Sequence, residues 1–140
     1  MSGAEKAYFG RRYMMSASHR LHTAALSAEE NRAAYGKCNN ENGHGHNYIV
    51  EVLVGGTVDE KTGMVVDLVA LDDVVRGRVL DRFDHANLNL DPLFADRVPT
   101  TENLCRGIFA LLETALPAGE LEQVRVEETE NNSFECRAGG

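Results

Sequence analysis

The sequence predicts an α+β fold, with antiparallel strands and helices on one face, and three observations predict it. Stretches around 8–20, 47–54 and 124–136 carry the β-branched, aromatic and alternating residues typical of strands. Apolar residues recur at helical spacing over 68–80 and 104–115. Turn signals at Asp59–Gly63 and Asn131-Asn132 join strands directly as hairpins.

Tyr8 to Arg20 mixes aromatic, Met and small polar residues and reads as the first strand. Ser27-Ala-Glu-Glu30 is a capping-box pattern that starts a short helix through about Tyr35, with Gly36 suited to end it. Asn47 to Val54 (NYIVEVLV) is the second strand, and Gly55-Gly56 marks a turn or bulge. The DEKTG turn leads into Met64–Asp67 as a further strand, completing a hairpin. Asp67 caps a helix whose face is Leu68, Leu71, Val74, Val75, Val79 and Leu80. Phe83 to Pro99 reads mostly as loop. Thr100 or Thr101 opens the next helix, with Leu104, Ile108, Leu111, Leu112 and Ala115 on one face and Pro117 as its stop. Val124 and Val126, then Phe134 and Cys136, alternate with polar residues and form the closing hairpin.

No repeat, low-complexity tract or Pro/Gly/Ser linker interrupts the chain, so 1–140 is read as one domain. The 43% hydrophobic content is that of a globular protein, and no apolar run approaches the roughly 18 residues of a membrane span. The segment MSGAEKAYFGRRYMM lacks an apolar h-region, so no signal peptide is read. Three widely spaced cysteines make a poor disulfide framework and suit a reducing cytoplasm. The net charge of −8, with no basic stripe, argues against nucleic acid as a partner but leaves room for a small anion held by local cations.

The chemistry concentrates in Cys38-Asn-Asn-Glu-Asn-Gly-His44-Gly-His46. Residues two apart on a strand share a face, with backbones roughly 6.5–7 Å apart, so His44 and His46 can converge on one metal ion. His19, in the first strand, supplies a third imidazole if the strands pair. Three histidines with no obvious fourth ligand fit a catalytic zinc that keeps a position open, although imidazoles equally suit iron, nickel or copper. Cys38 has two open roles: a fourth ligand closing a structural site, or a free thiol acting as base or nucleophile. Asp84-His85 is an acid–base pair that in isolation reads as a turn cap beside a solvated ring. Of Glu127 and Glu128 only one can face a pocket, and spacing alone reads them as solvated or ion-paired. His22 reads as a surface histidine, and Cys105 and Cys136 as packing residues.

With these residues in view, the sequence resembles the 6-pyruvoyl-tetrahydropterin synthase family over nearly its whole length. The likeness rests on SASHRL (16–21), GKCNNENGHGHNY (36–48), TGMVVDL (62–68), DHANL (84–88), TTEN (100–103) and EETENN (127–132). The resemblance implies a tunnelling fold: a four-stranded antiparallel sheet with helices on its outer face. Three subunits close a barrel, two trimers stack into a homohexamer, and active sites lie at subunit interfaces. It implies Zn2+ on His19, His44 and His46, and Cys38 as catalytic base supported by Asp84 and His85. Glu128 anchors the pterin ring, while Thr101 and Glu102 line its pocket. Glu130 stands where relatives carry an aspartate.

The implied reaction is that of a phosphate-eliminating carbon–oxygen lyase of tetrahydrobiopterin biosynthesis. It converts 7,8-dihydroneopterin triphosphate to 6-pyruvoyl-tetrahydropterin with loss of triphosphate. No external redox cofactor is required, in keeping with the lack of a G-x-G-x-x-G fingerprint. The related 6-carboxytetrahydropterin synthases of queuosine biosynthesis share fold, zinc site and substrate. They usually place three residues between the cysteine and His-x-His, whereas five separate Cys38 from His44, as in the pyruvoyl enzymes. A non-catalytic module with a closed His3Cys site is the alternative of another class. The residues that hold the triphosphate are not legible in the sequence.

Overall fold

The computed structural model describes residues 5–139, so the first four residues of the leader reading lie outside the described residues. Strand β1 spans Lys6–His19 and helix α1 spans Ala28–Tyr35. Ser27 caps α1 with both halves of the capping box in place, and Gly36 turns the chain out at φ 56°. Strand β2, His44–Thr57, pairs with β1 in antiparallel register along its full length. Helix α2, Leu68–Val75, is capped by the Asp67 side chain and continues through a π turn, Arg76–Leu80, into α3, Asp81–Phe83. Two-residue β3, Ala86–Asn87, and two 3-10 turns lead to helix α4, Thr101–Ala115, capped by Thr100. Strands β4, Leu121–Thr129, and β5, Asn132–Arg137, close the chain as a hairpin turning at Glu130-Asn131, one residue before the expected position.

Two expectations need correction. The sheet has five strands in the order β3-β1-β2-β4-β5, and it is mixed, because β3 runs parallel to β1. Two residues are too few for any alternation to register in sequence. Their placement comes from tertiary bonds at the edge of β1: His85 N–H donates to the Ser16 carbonyl at 2.5 Å, and Ser16 N–H donates to the Asp84 carboxylate at 2.8 Å. Second, Met64–Asp67 forms no strand. β2 is flanked by β1 and β4 and has no free edge to offer, so the segment after the Asp59 turn is held locally instead. Asp59 N–H donates to the Met64 carbonyl, and its carboxylate accepts from Lys61 and Thr62 N–H. Irregularity falls beside the expected Gly55-Gly56 break, as a register shift at Leu53/Val54 against β4.

The pleat sorts the side chains. Met15, Ala17 and His19 of β1 face the helices with Tyr48, Val50, Val52 and Val54 of β2 and Val124 and Val126 of β4, all buried. Leu71, Val75, Val79 and Phe83 meet them from the α2–α3 run. A spacing of four drifts by about 40° per step on a 3.6-residue helix; the wider π turn at Arg76–Leu80 turns less per residue and brings Phe83 back to the core. Leu104, Cys105, Ile108 and Leu112 of α4 complete the layer, and Cys105 Sγ approaches the Val124 carbonyl at 3.4 Å. Both packing readings, for Cys105 and for Cys136 opposite Val124, agree with this arrangement.

One polar clamp ties β1 to α2. Arg11 grips Asp72 through two nitrogens at 2.9 and 3.2 Å, and the Tyr13 hydroxyl donates to the same carboxylate at 2.7 Å. The Tyr13 bond, aided by the Arg11 bond and charge, holds the Asp72 carboxyl below its ordinary range against the opposing effect of burial, which is second in size to the Tyr13 bond. A lowered folded-state pKa contributes stability above the unfolded value of 3.8 and loses it as pH falls toward the folded value. Asp72→Asn should therefore cost about 1 kcal/mol at pH 7. Urea titrations should show that gap shrinking as pH is taken toward 3; a gap that persists undiminished would assign the loss to packing.

Candidate functional site

The register of β1 on β2 builds the centre. His19 lies opposite His44 and Ala17 opposite His46, so the three imidazoles share the helix-side face at one end of the sheet. Their ring centroids are 5.2 Å (His19–His44), 5.0 Å (His19–His46) and 4.6 Å (His44–His46) apart. Gly43 makes the approach possible: its φ is 71°, and a Cβ there would fall 2.8 Å from the His19 carbonyl oxygen. Cys38 arrives from the other direction, on the 3-10 turn Gly36–Asn39 that follows α1. Leu21 N–H donates to the Cys38 carbonyl at 2.7 Å, which pins that turn to the end of β1 and sets Sγ 3.4 Å from His44 Nε2.

One ligand atom from each of His19, Cys38, His44 and His46 lies within 4.8 Å of the others. His19 is buried, and its Nε2 has no hydrogen-bond partner among the described residues. Its Nδ1 is held 2.9 Å from the Pro99 carbonyl, a contact that requires the proton on Nδ1 and leaves the Nε2 lone pair aimed into the cluster. A buried ring nitrogen without a partner is costly unless something accepts its lone pair, and a cation would do so. The Nε2 atoms of His44 and His46 stand 2.8 Å apart, where a shared cation would engage both lone pairs. Burial, the largest influence in each case, lowers the pKa of His19 and of His46, which favours the neutral rings that metals bind. The donor set fits a divalent transition metal.

Burial, and then the charge of Glu128, push the Cys38 thiol above its ordinary range. The protein's own groups therefore hold Cys38 protonated near neutral pH, and a divalent cation among the imidazoles would oppose that.

Glu128 joins this group and Glu127 does not. Glu128 Oε2 lies 3.9 Å from His46 Nε2 and accepts a short bond from the buried Thr101 hydroxyl, while Asn132 Nδ2 donates to Oε1 at 3.3 Å. Glu127, one residue earlier and on the other face, is ion-paired with Arg125 and Arg12. The ion-paired reading thus holds for Glu127 alone.

Other predicted residues lie apart. Asp84 and His85 sit at the β3 edge, where Ser16 and Ser18 alternate away from Ala17 and His19. His85 Nε2 is 3.6 Å from Asp84 Oδ2, and the side chain is 83% exposed. Its φ of 61° makes it the one non-glycine in the left-handed region among the described residues, a strained conformation of the kind found at functional positions. No hydrogen bond joins either residue to Cys38 among the described residues. Glu102 is exposed in the first turn of α4 and has no hydrogen-bond partner there among the described residues. His22 is exposed and bonds Asn39, outside the cluster.

Two supporting residues escaped the sequence reading. Tyr48 continues the His44, His46 alternation and places its hydroxyl 3.4 Å from His19 Nδ1, a signal that period-2 counting could have found. Pro99 acts through its backbone carbonyl, which no residue type announces.

Comparison with known proteins agrees with this arrangement. Residues 9–139 match the family model of 6-pyruvoyl tetrahydropterin synthase. The chain is 49% identical over 128 residues to human 6-pyruvoyl tetrahydrobiopterin synthase, covering 91% of this chain and 88% of the relative. It is 42% identical over 139 residues to the Drosophila melanogaster protein of the same name, covering 98% and 83%. The solved structure of Caenorhabditis elegans 6-pyruvoyl tetrahydropterin synthase superimposes with a TM-score of 0.92 at 40% identity, covering 99% of this chain and 100% of that one. With the histidine–cysteine cluster and the fold in agreement, the chain belongs to the 6-pyruvoyl tetrahydropterin synthase family.

Proposed function

We propose that the chain is a zinc-dependent lyase that converts 7,8-dihydroneopterin triphosphate to 6-pyruvoyl-tetrahydropterin and triphosphate. The observation that carries this reading is the open imidazole cluster with a thiol beside it: His19 Nε2 is buried and unpartnered, and Cys38 Sγ stands 3.4 Å from His44. Membership of a family named for 6-pyruvoyl tetrahydropterin synthesis supports the same reading.

His19, His44 and His46 would hold zinc. When bound, the ion supplies Lewis-acid polarisation of the substrate's side-chain hydroxyls and a positive charge near the thiol. Cys38 takes a proton from the side chain as general base. Glu128 receives the guanidine-like edge of the pterin, its two oxygens suited to two parallel N–H donors. Thr101 orients that carboxylate through its hydroxyl bond. Glu102 is assigned to the ring pocket by family likeness alone. The ring gains the two hydrogens that the side chain loses, so tautomerisation followed by elimination of triphosphate is redox-neutral and needs no second cofactor.

Asp84 and His85 are assigned to the same proton transfers. In one chain they border the opposite face of the sheet from Cys38, which favours a site completed by a second copy. An assembly of trimers stacked as a hexamer fits the outer edge of β5, which has no strand beyond it among the described residues, and the exposed Tyr8 and Met14 on the face away from the helices. The catalytic unit is taken as one domain over 1–140, and three free cysteines are consistent with a reducing cytoplasm.

Incubation of the zinc-loaded protein with 7,8-dihydroneopterin triphosphate, followed by mass analysis, should yield 6-pyruvoyl-tetrahydropterin and triphosphate. A 6-carboxy product with release of acetaldehyde would overturn this assignment. Cys38→Ala should retain its zinc and lose turnover by at least about 100-fold. His19→Ala should lose zinc affinity beyond the ~10–100-fold typical of outer-shell changes, read by competition with a chromophoric chelator. Loss of zinc from Cys38→Ala, with unfolding, would instead indicate a closed structural site.

A further inference from the structure

A recess of about 720 Å3 opens beside the metal cluster, lined by Arg20, Arg32, Lys37, Glu41, His44 and His46 among others. Three of its lining residues are cations. Acidic residues outnumber basic ones by 22 to 14, and Arg11, Arg12, Arg82 and Arg125 are each engaged by a carboxylate. Arg20, Arg32 and Lys37 have no carboxylate partner among the described residues, although Glu41 borders the same recess.

The three come from separate pieces of backbone: the end of β1, the last turn of α1 and the 3-10 turn that carries Cys38. Arg20 is preset. Its N–H donates to Asn89 Oδ1 at 2.7 Å, its carbonyl accepts from Asn89 Nδ2 at 2.9 Å, and its Nε donates to the Asn39 carbonyl at 3.3 Å. Asn39 is buried and anchored by donating to the Leu21 carbonyl at 2.7 Å. The terminal guanidinium nitrogens of Arg20 are left without a protein acceptor among the described residues. Arg32 and Lys37 are exposed, with long arms and no protein acceptors for their side chains among the described residues.

Unpaired cations held around one concavity invite a compact polyanion, and guanidinium forks suit phosphate oxygens in particular. The wall shared with His44 and His46 requires the polyanion to belong to a molecule whose other part reaches the metal cluster. We propose that Arg20, Arg32 and Lys37 seat the triphosphate tail of the substrate, an assignment that rests on the functional reading above. Cations fixed where charge develops on departing triphosphate stabilise the elimination as well as binding, so both KM and kcat depend on them.

The probe is inorganic tripolyphosphate with the assembled, zinc-loaded protein, measured by calorimetry and as an inhibitor of turnover. Arg32→Gln/Lys37→Gln is compared with Lys61→Gln/Arg78→Gln, which removes the same charge from exposed cations outside the recess. The recess double variant should weaken tripolyphosphate binding and raise KM by at least about tenfold. The control double should change each by no more than about twofold. Equal weakening in both, or a recess double that binds as the wild type does, overturns the proposal; tripolyphosphate held by the metal alone gives the second result. The calorimetric arm needs no turnover. Tripolyphosphate bound through the recess without pterin product would therefore sink the functional reading alone, and normal turnover with an unchanged KM in the recess double would sink only this proposal.

Discussion

The antiparallel pairing of β1 with β2 is the constraint on which both core and site depend. It runs from Lys6 opposite Thr57 to His19 opposite His44 without a break. Along this ladder Met15, Ala17, Tyr48 and Val50 face the core, and the adjoining His19–His44 end places three imidazoles on that same face. Because side chains alternate with period two, a slip of one residue would turn His19 away from His44 and His46 and expose the Met15 side of β1. The buried apolar residues therefore enforce the geometry of the polar cluster. Packing energy that belongs to the fold sets the spacing of the ligand atoms.

What that geometry creates is unfavourable without a cation. A ring nitrogen of His19 is buried with no partner, two others are 2.8 Å apart, and the thiol of Cys38 is held protonated by burial and by Glu128. The surroundings keep this arrangement fixed: Pro99 orients His19, Thr101 and Asn132 hold Glu128, and the Leu21–Cys38 bond pins the turn that carries the thiol. A divalent metal resolves several of these costs together. The most negative side chain of the cluster, Glu128, is then free to meet a cationic or hydrogen-bond-donating edge of a substrate.

Much of this was legible in the sequence because it rests on short-range periodicity. The capping box at Ser27, the Asp67 and Thr100 caps, and the alternation that puts His44 and His46 on one face all register within a few residues. Met64–Asp67 looked like a strand because its residues are β-formers, yet the edge it would need on β2 is already taken by β4. β3 was invisible for the opposite reason: its pairing depends on Asp84 and His85 bonding Ser16, contacts across nearly 70 residues. Glu128 looked like half of a solvated pair until Thr101 came to it across 27 residues, and the cations at Arg20, Arg32 and Lys37 share a recess only once α1 has folded back beside β1. Local pattern locates elements and ligands, whereas supporting bonds and recesses are properties of the packed chain.

Zinc K-edge X-ray absorption of the metal-loaded wild-type protein tests the central claim most directly. Three imidazole nitrogens with an open position predict a nitrogen or oxygen shell at about 2.0–2.1 Å and no sulfur scatterer. A sulfur shell at about 2.3 Å would place Cys38 on the metal and contradict the free base proposed for it.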